Sequence, residues 1–118
     1  MQSEIHLIID RAIFCNYKVI MAGNNISFDW DPKKANSNQK KHGVSFIEAQ
    51  TVFLDDNALL IDDPDHSQDE DRFILIGFSY KFRVLVVCYS EEQDAIKIIS
   101  ARKATRPEKK QYQERQSK

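Results

Sequence analysis

The stretch FILIGFSYKFRVLVVCYSEEQDAIKIISA, Phe73 to Ala101, decides the fold. It holds three apolar runs rich in β-branched and aromatic residues, Phe73–Phe78, Arg83–Tyr89 and Ala95–Ala101. Such runs bounded by polar clusters read as strands. The connections, Ser79–Phe82 and Ser90–Asp94, are too short for crossover helices, so the strands are expected to run antiparallel as a meander. In the middle run Val84, Val86 and Cys88 alternate with Leu85, Val87 and Tyr89, apolar on both sides. A sheet with one wet face would show apolar and polar residues in alternation. Both faces therefore need a cover.

Upstream, Ala58–Ile61 reads as a short fourth strand. Before it, Ser45-Phe46-Ile47-Glu48 has the spacing of a capping box, and Phe46, Ala49, Val52 and Phe53 give the helix it opens an apolar face, ended by Asp55-Asp56-Asn57. Ile26, Phe28 and Trp30 alternate with Ser27 and Asp29 as a further strand. Asp31-Pro32 then supplies an N-cap and a first-turn proline, and the helix so begun stops at Gly43. Between Lys33 and His42 only Ala35 is apolar. A helix polar all round gains little by burial, so it should face solvent or a ligand. Downstream, Arg106-Pro107 opens a last helix through Tyr112. The fold class is α+β: a small antiparallel sheet with packed helices. The two helices at 33–54 can cover one face; the other needs the last helix, the N-terminal segment or a partner.

Residues 1–25 stand apart as an extension to a domain at 26–118. Ile5, Ile8, Ile9, Ala12 and Ile13 have helical spacing, and Glu4, Asp10 and Arg11 interrupt the run, so it is a poor signal peptide. Met21-Ala22-Gly23-Asn24-Asn25 is either a linker after an extra helix or the true start.

At 118 residues with 42% hydrophobic and 30% charged content, the chain is one globular domain without an apolar run long enough to span a membrane. Three glycines cannot build a Gly-rich nucleotide loop. Cys15 and Cys88 show no paired spacing, which argues against a disulfide framework and structural zinc and fits a reducing cytoplasm. The net charge of −1 hides an asymmetry. Eight acidic side chains and no base lie between Asp55 and Asp71, whereas eight bases face two acids from Lys97 onward, and residues 33–42 add four lysines. Basic blocks on a near-neutral chain point to a polyanion or an acidic partner; a solvated helix face is the plainer reading.

Asp63, Asp65, Ser67, Asp69 and Asp71 have the alternate spacing of a calcium loop, but Gln68 replaces the required glycine and Ile74 the closing glutamate. His66 within this loop is a titratable group that carboxylates would keep protonated. Lys40, Lys41 and His42 complement the macrodipole at a helix C-terminus, and can equally serve phosphate contact and proton transfer. Arg72, Arg83 and Arg102 sit at strand ends and could converge on one phosphate, whose charge and shape a guanidinium fork matches. Tyr112 reads as core rather than catalytic. No Ser-His-Asp, Cys-His or His-based metal motif stands out, so an enzyme here would use Lys, Arg and His, with no metal and no cofactor.

Three motifs in order carry a family resemblance. They are Phe28-Asp29-Trp30-Asp31-Pro32-Lys33-Lys34-Ala35 with Asn38, Lys41-His42-Gly43-Val44-Ser45-Phe46 and Glu48-Ala49; Asp63-Pro64-Asp65-His66-Ser67 with Glu70-Asp71-Arg72-Phe73-Ile74 and Ile76-Gly77; and Ile98-Ile99-Ser100-Ala101-Arg102-Lys103-Ala104-Thr105 with Glu108 and Tyr112. Together they resemble the BrnT-type toxins over residues 26–113. Position 71, commonly Glu in that family, is Asp here, and residues 1–20 lie outside the resemblance. The resemblance implies a RelE-like toxin fold and the toxin of a type II toxin–antitoxin pair, a metal-independent endoribonuclease that inhibits translation. It implies neutralisation by a ribbon–helix–helix (BrnA-like) antitoxin, with operator DNA reached only through that antitoxin. The alternative is a non-catalytic or decayed toxin that serves as a protein- or nucleic-acid-binding module in operon repression.

On this reading Arg72 and Arg102 stabilise the charged phosphorane, with Arg83 in reserve, and His42 or Lys41 moves protons. Lys33, Lys34, Lys40, Lys103 and Arg106 would hold the RNA backbone.

Overall fold

A computed structural model describes residues 19–21, 24–62, 72–92 and 95–116. The expected Ile5–Ile13 helix and the acidic loop at 63–71, with His66 and its calcium-like spacing, lie outside the described residues.

The meander forms as its short connections require. Strands β3 (Leu59–Asp62), β4 (Arg72–Phe78), β5 (Val84–Glu92) and β6 (Ala95–Lys103) pair antiparallel in sequence order. Two further strands, β1 (Val19–Met21) and β2 (Asn24–Asp29), extend the sheet to the order β1-β2-β6-β5-β4-β3. One expectation needs correction here. The sheet is mixed, because β2 lies parallel to β6, Phe28 opposite Ile96. Within the stretch read as a linker or as the true start, Met21 lies opposite Asn24 and Ile20 opposite Asn25.

Helix α1 (Pro32–His42) begins where Asp31 accepts a hydrogen bond from Lys33 N–H through Oδ1 at 2.9 Å. It ends at Gly43, whose φ of 70° is the left-handed cap that glycine adopts without strain. Its polarity has a structural answer. β2 pairs β6 only as far as Lys97, and beyond that point Asn38 of α1 takes the place of a strand. Asn38 Nδ2 donates to Ala101 O at 2.8 Å and to Val44 O at 2.9 Å, and Ala101 N–H donates to Asn38 Oδ1 at 3.1 Å. The helix thus docks on the sheet edge by hydrogen bonds through one buried amide and needs no apolar stripe.

Helix α2 (Phe46–Thr51) is capped by Ser45, whose Oγ accepts from Glu48 N–H at 3.0 Å, and runs into a 3₁₀ turn at Val52–Leu54. It lays Phe46, Ala49 and Val52 on Phe28, Leu75, Leu85, Val87, Tyr89, Ile98 and Ala101. Edge-to-face contacts Phe28–Phe53 and Phe53–Tyr89, with centroids 5.1 and 4.9 Å apart, extend this core. Gly77 is required beneath the 3₁₀ turn, since a Cβ there would meet Val52 Cγ1 at 2.8 Å.

The opposite face is covered in part by α3 (Arg106–Gln116), as the doubly apolar β5 demands. Tyr112 and Ala104 pack with Ile76 and Val86, flanked by Leu59, Ile61, Ile74 and Val84. The Tyr112 hydroxyl donates to Asp55 Oδ2 at 2.5 Å, which also accepts from Phe78 N–H at 2.9 Å. Tyr112 is therefore core, as read from the sequence.

Candidate functional site

Strand register sets the geometry. Arg72 of β4, Ser90 of β5 and Lys97 of β6 are cross-strand neighbours and share one face of the sheet. Ile74, Cys88 and Ser100 form the next rung on that face, and Ile76, Val86 and Arg102 the one after. The step from Lys97 to Ser100 is three residues rather than two because the ladder is irregular at Cys88/Tyr89, leaving Ile99 as an extra residue. Such a bulge re-aims the chain that follows. Without it, Lys97 and Arg102 would face opposite ways.

Two adjoining clefts open beside this face. One, of about 300 Å³, is lined by Lys34, Arg72, Ser90, Glu91, Glu92, Lys97 and Ile99. The other, of about 320 Å³, is lined by Lys33, Lys34, Ser37, Asn38, Lys41, His42, Ile99 and Ser100. Lys34 and Ile99 belong to both, so the clefts form one groove along α1. The lysine-rich surface of α1 is one wall, and the open part of the sheet is the floor. The groove brings together Lys33, Lys34, Lys41, His42 and Arg72 from the residues singled out in the sequence, and adds Lys97. Lys97 escaped notice as one base among many in the C-terminal segment. Only the bulge at Ile99 gives it a special place.

Arg102 stands on the same sheet face next to Ser100, at the start of α3. Its Nη1 and Nη2 donate to the two carboxylate oxygens of Glu108 at 2.8 Å each. This fork, with Thr105 N–H donating to Glu108 Oε1 at 2.8 Å, holds the Glu108 carboxyl down at about 2 and raises the affinity of Arg102 for its proton.

Arg83 does not join them. The expected convergence of three arginines fails for a reason of register: Arg83 precedes β5, on the side of Leu85 and Val87, where α2 packs. It is also seven residues from Ser90, roughly 23 Å along an extended strand. Its guanidinium is engaged by Glu48, through Nε to Oε2 at 3.0 Å and through Nη2 to Oε1, and Nη2 also donates to Gly43 O at 3.3 Å. Glu48 is fully buried. Burial pushes its carboxyl up, but hydrogen bonds from Arg83 and from Ser79 Oγ (2.7 Å) outweigh this and the net shift is downward. Glu48 N–H thus keeps the cap bond to Ser45 that its spacing suggested, while its carboxylate joins α2 to the β4–β5 connection.

Of the remaining expected RNA contacts, Lys40 lies on the exposed surface of α1 outside the groove lining. Lys103 pairs with Leu85 and has the register of the α2 face, and Arg106 starts α3. Among the described residues no three His, Cys, Asp or Glu side chains gather as a metal site, and no helix is long and apolar enough to cross a membrane.

The sequence model of the family described as "Ribonuclease toxin, BrnT, of type II toxin-antitoxin system" matches residues 30–108. The crystal structure of the Brucella abortus ribonuclease toxin BrnT, at 1.1 Å resolution, is similar with a TM-score of 0.54 and 23% identity, covering 67% of this chain and 96% of that chain. That likeness is one of fold. No curated protein matches the chain.

Proposed function

The chain belongs to the BrnT ribonuclease toxin family of type II toxin–antitoxin systems, and from that premise we propose that it cleaves RNA without a metal ion, in the groove between α1 and the open sheet face. The observation that carries this reading is the register that sets Arg72, Lys97 and Arg102 on one face, beside a helix wall bearing Lys33, Lys34, Lys41 and His42.

The ribose 2′-OH attacks the adjacent phosphorus, forming the P–O2′ bond while the P–O5′ bond breaks. His42 takes the 2′ proton and Lys41 donates one to the leaving O5′, or the two exchange roles. Arg102, two residues along β6 from Ser100 in the cleft of His42, stabilises the phosphorane. Arg72, Lys97 and Lys34 hold a neighbouring phosphate. Arg83 serves indirectly, by fixing Gly43 at the end of the helix that carries His42. Neutralisation falls to a ribbon–helix–helix antitoxin, operator DNA is reached only through it, and the reaction takes place in the cytoplasm.

A second reading has one observation in its favour. The Arg102 fork is fully engaged by Glu108, as in a structural ion pair, which suits a decayed toxin kept for binding. Cleavage of a 5′-labelled RNA in EDTA decides between them. Wild type should yield a 2′,3′-cyclic phosphate product, and Arg102→Ala and Arg72→Ala should each lose on the order of a hundredfold in rate while remaining folded. Activity abolished by EDTA would overturn the metal-free mechanism, and no cleavage, with or without ribosomes, would favour the binding module.

A further inference from the structure

Three features that cleavage does not use coincide at the tip of the β4–β5 hairpin. Phe82 is 80% exposed, and Phe78 and Tyr80 beside it are each 41% exposed. Phe82 also has a φ of 62°, a left-handed conformation that bulky side chains rarely adopt. The loop is held in this shape from beneath by buried Glu48, which accepts from Ser79 at one end and Arg83 at the other. Phe82 N–H donates to Ser79 O, and Tyr80 N–H to Thr51 Oγ1 at 3.0 Å. The ring of Phe82 meets that of Phe78 edge-on at 6.0 Å, and Lys81 Nζ lies 5.9 Å from the Tyr80 ring centre. A solvent-facing aromatic cluster held from beneath by buried Glu48 and its partly exposed partner Arg83 is preorganised for contact.

Its position argues for a protein rather than RNA. Phe78 shares the sheet face of Ile76 and Ile74, but α3 crosses that face over Ile76 and Val86, between the aromatic tip and the groove. Only Lys81 supplies a free-standing charge on the loop, since Arg83 is neutralised by Glu48. A cluster that binds successive bases would instead continue a basic track.

We propose that Phe78, Tyr80 and Phe82 form the anchor for the antitoxin, receiving an apolar side chain flanked by a carboxylate that meets Lys81. The inference rests on the toxin–antitoxin pairing of the family and not on catalysis. Aromatic anchors of this kind carry a large share of interface affinity.

The test measures affinity of the full chain for its purified cognate ribbon–helix–helix antitoxin, alongside RNA cleavage by the same preparations. Phe82→Asp should weaken antitoxin binding at least about a hundredfold and leave cleavage unchanged. Phe82→Gly, which keeps the left-handed backbone and removes the ring, should weaken binding at least about tenfold and guards against misfolding of the first variant. Antitoxin affinity equal to wild type in both variants overturns the proposal, as does absence of binding by wild type. So does loss of cleavage with affinity intact, which would assign the tip to RNA. Failure of wild type to cleave RNA sinks the ribonuclease reading alone, because the binding arm stands without it.

Discussion

Glu48 shows how spacing can reveal only half of what a residue does. Three residues after Ser45, it fits a helix cap, yet its carboxylate lies fully buried between Arg83 and Ser79. Arg83 is partly exposed, so water can solvate the guanidinium left behind, and Glu48→Gln should cost about 1–3 kcal/mol in chemical denaturation. A loss too small to measure would mean that the pair does not hold α2 to the β4–β5 connection. Lys97 presents the opposite case: the sequence marks it as nothing special, and register places it opposite Ser90 in the groove. Lys97→Ala should weaken RNA binding uniformly across sequences and lower the salt slope by about 0.7, while Lys97→Arg restores both. An unchanged slope would remove Lys97 from the phosphate path.

At the scale of elements, what could be read depended on whether the signal was local. The meander, the caps of α1 and α2, and the last helix follow from short connections and from Asp31, Pro32, Gly43 and Ser45, each acting within a turn of chain. The parallel pairing of β2 with β6 and the docking of α1 depend on residues more than sixty positions apart, and the bulge at Ile99 on a one-residue shift between β5 and β6, none of which periodicity encodes. Asn38 is the clearest instance, since on paper it is one polar residue in a polar helix. Asn38→Leu would leave both main-chain groups of Ala101 and the carbonyl of Val44 without this partner, and should cost about 3 kcal/mol. Hydrogen exchange at Ala101 should speed up well before that of β4; equal protection of the two would show that α1 is held otherwise. The start of α3 depends on charge instead. Glu108 binds its proton less tightly folded than unfolded, so the stabilisation from its pairing with Arg102 is present above the usual carboxylate range and fades as pH falls toward about 2. Acid should therefore loosen α3 against β6 across that window, and Glu108→Gln should abolish the effect. Because Arg102 is partly exposed, the loss is modest. Persistence of the acid transition in the variant would assign it to another carboxylate.

Across the whole molecule, the net charge of −1 supplies no overall attraction for a polyanion such as RNA. Affinity must come from cations gathered in one place, and the groove gathers Lys33, Lys34, Lys41, Arg72 and Lys97. For single-stranded RNA each neutralised phosphate contributes about −0.7 to the slope of log affinity against log salt, so full engagement of these five gives a slope of about −3.5. The aromatic tip of the hairpin carries one lysine and lies beyond α3, so antitoxin binding there should depend on salt far more weakly. Measured on one preparation, the two slopes separate the surfaces: steep for RNA, shallow for antitoxin. If both were steep and Lys34→Ala flattened both, antitoxin and RNA would be competing for the groove, and inhibition would be direct occlusion. If RNA binding were shallow, the groove would not be the RNA path, and Arg102 would lose its claim on the scissile phosphate and Arg72 its claim on the neighbouring one. A steep RNA slope reduced by Lys34→Ala, beside an antitoxin affinity that falls only with Phe82, is the expected pattern for a toxin that binds RNA through the sheet edge and its antitoxin through the opposite end of β5.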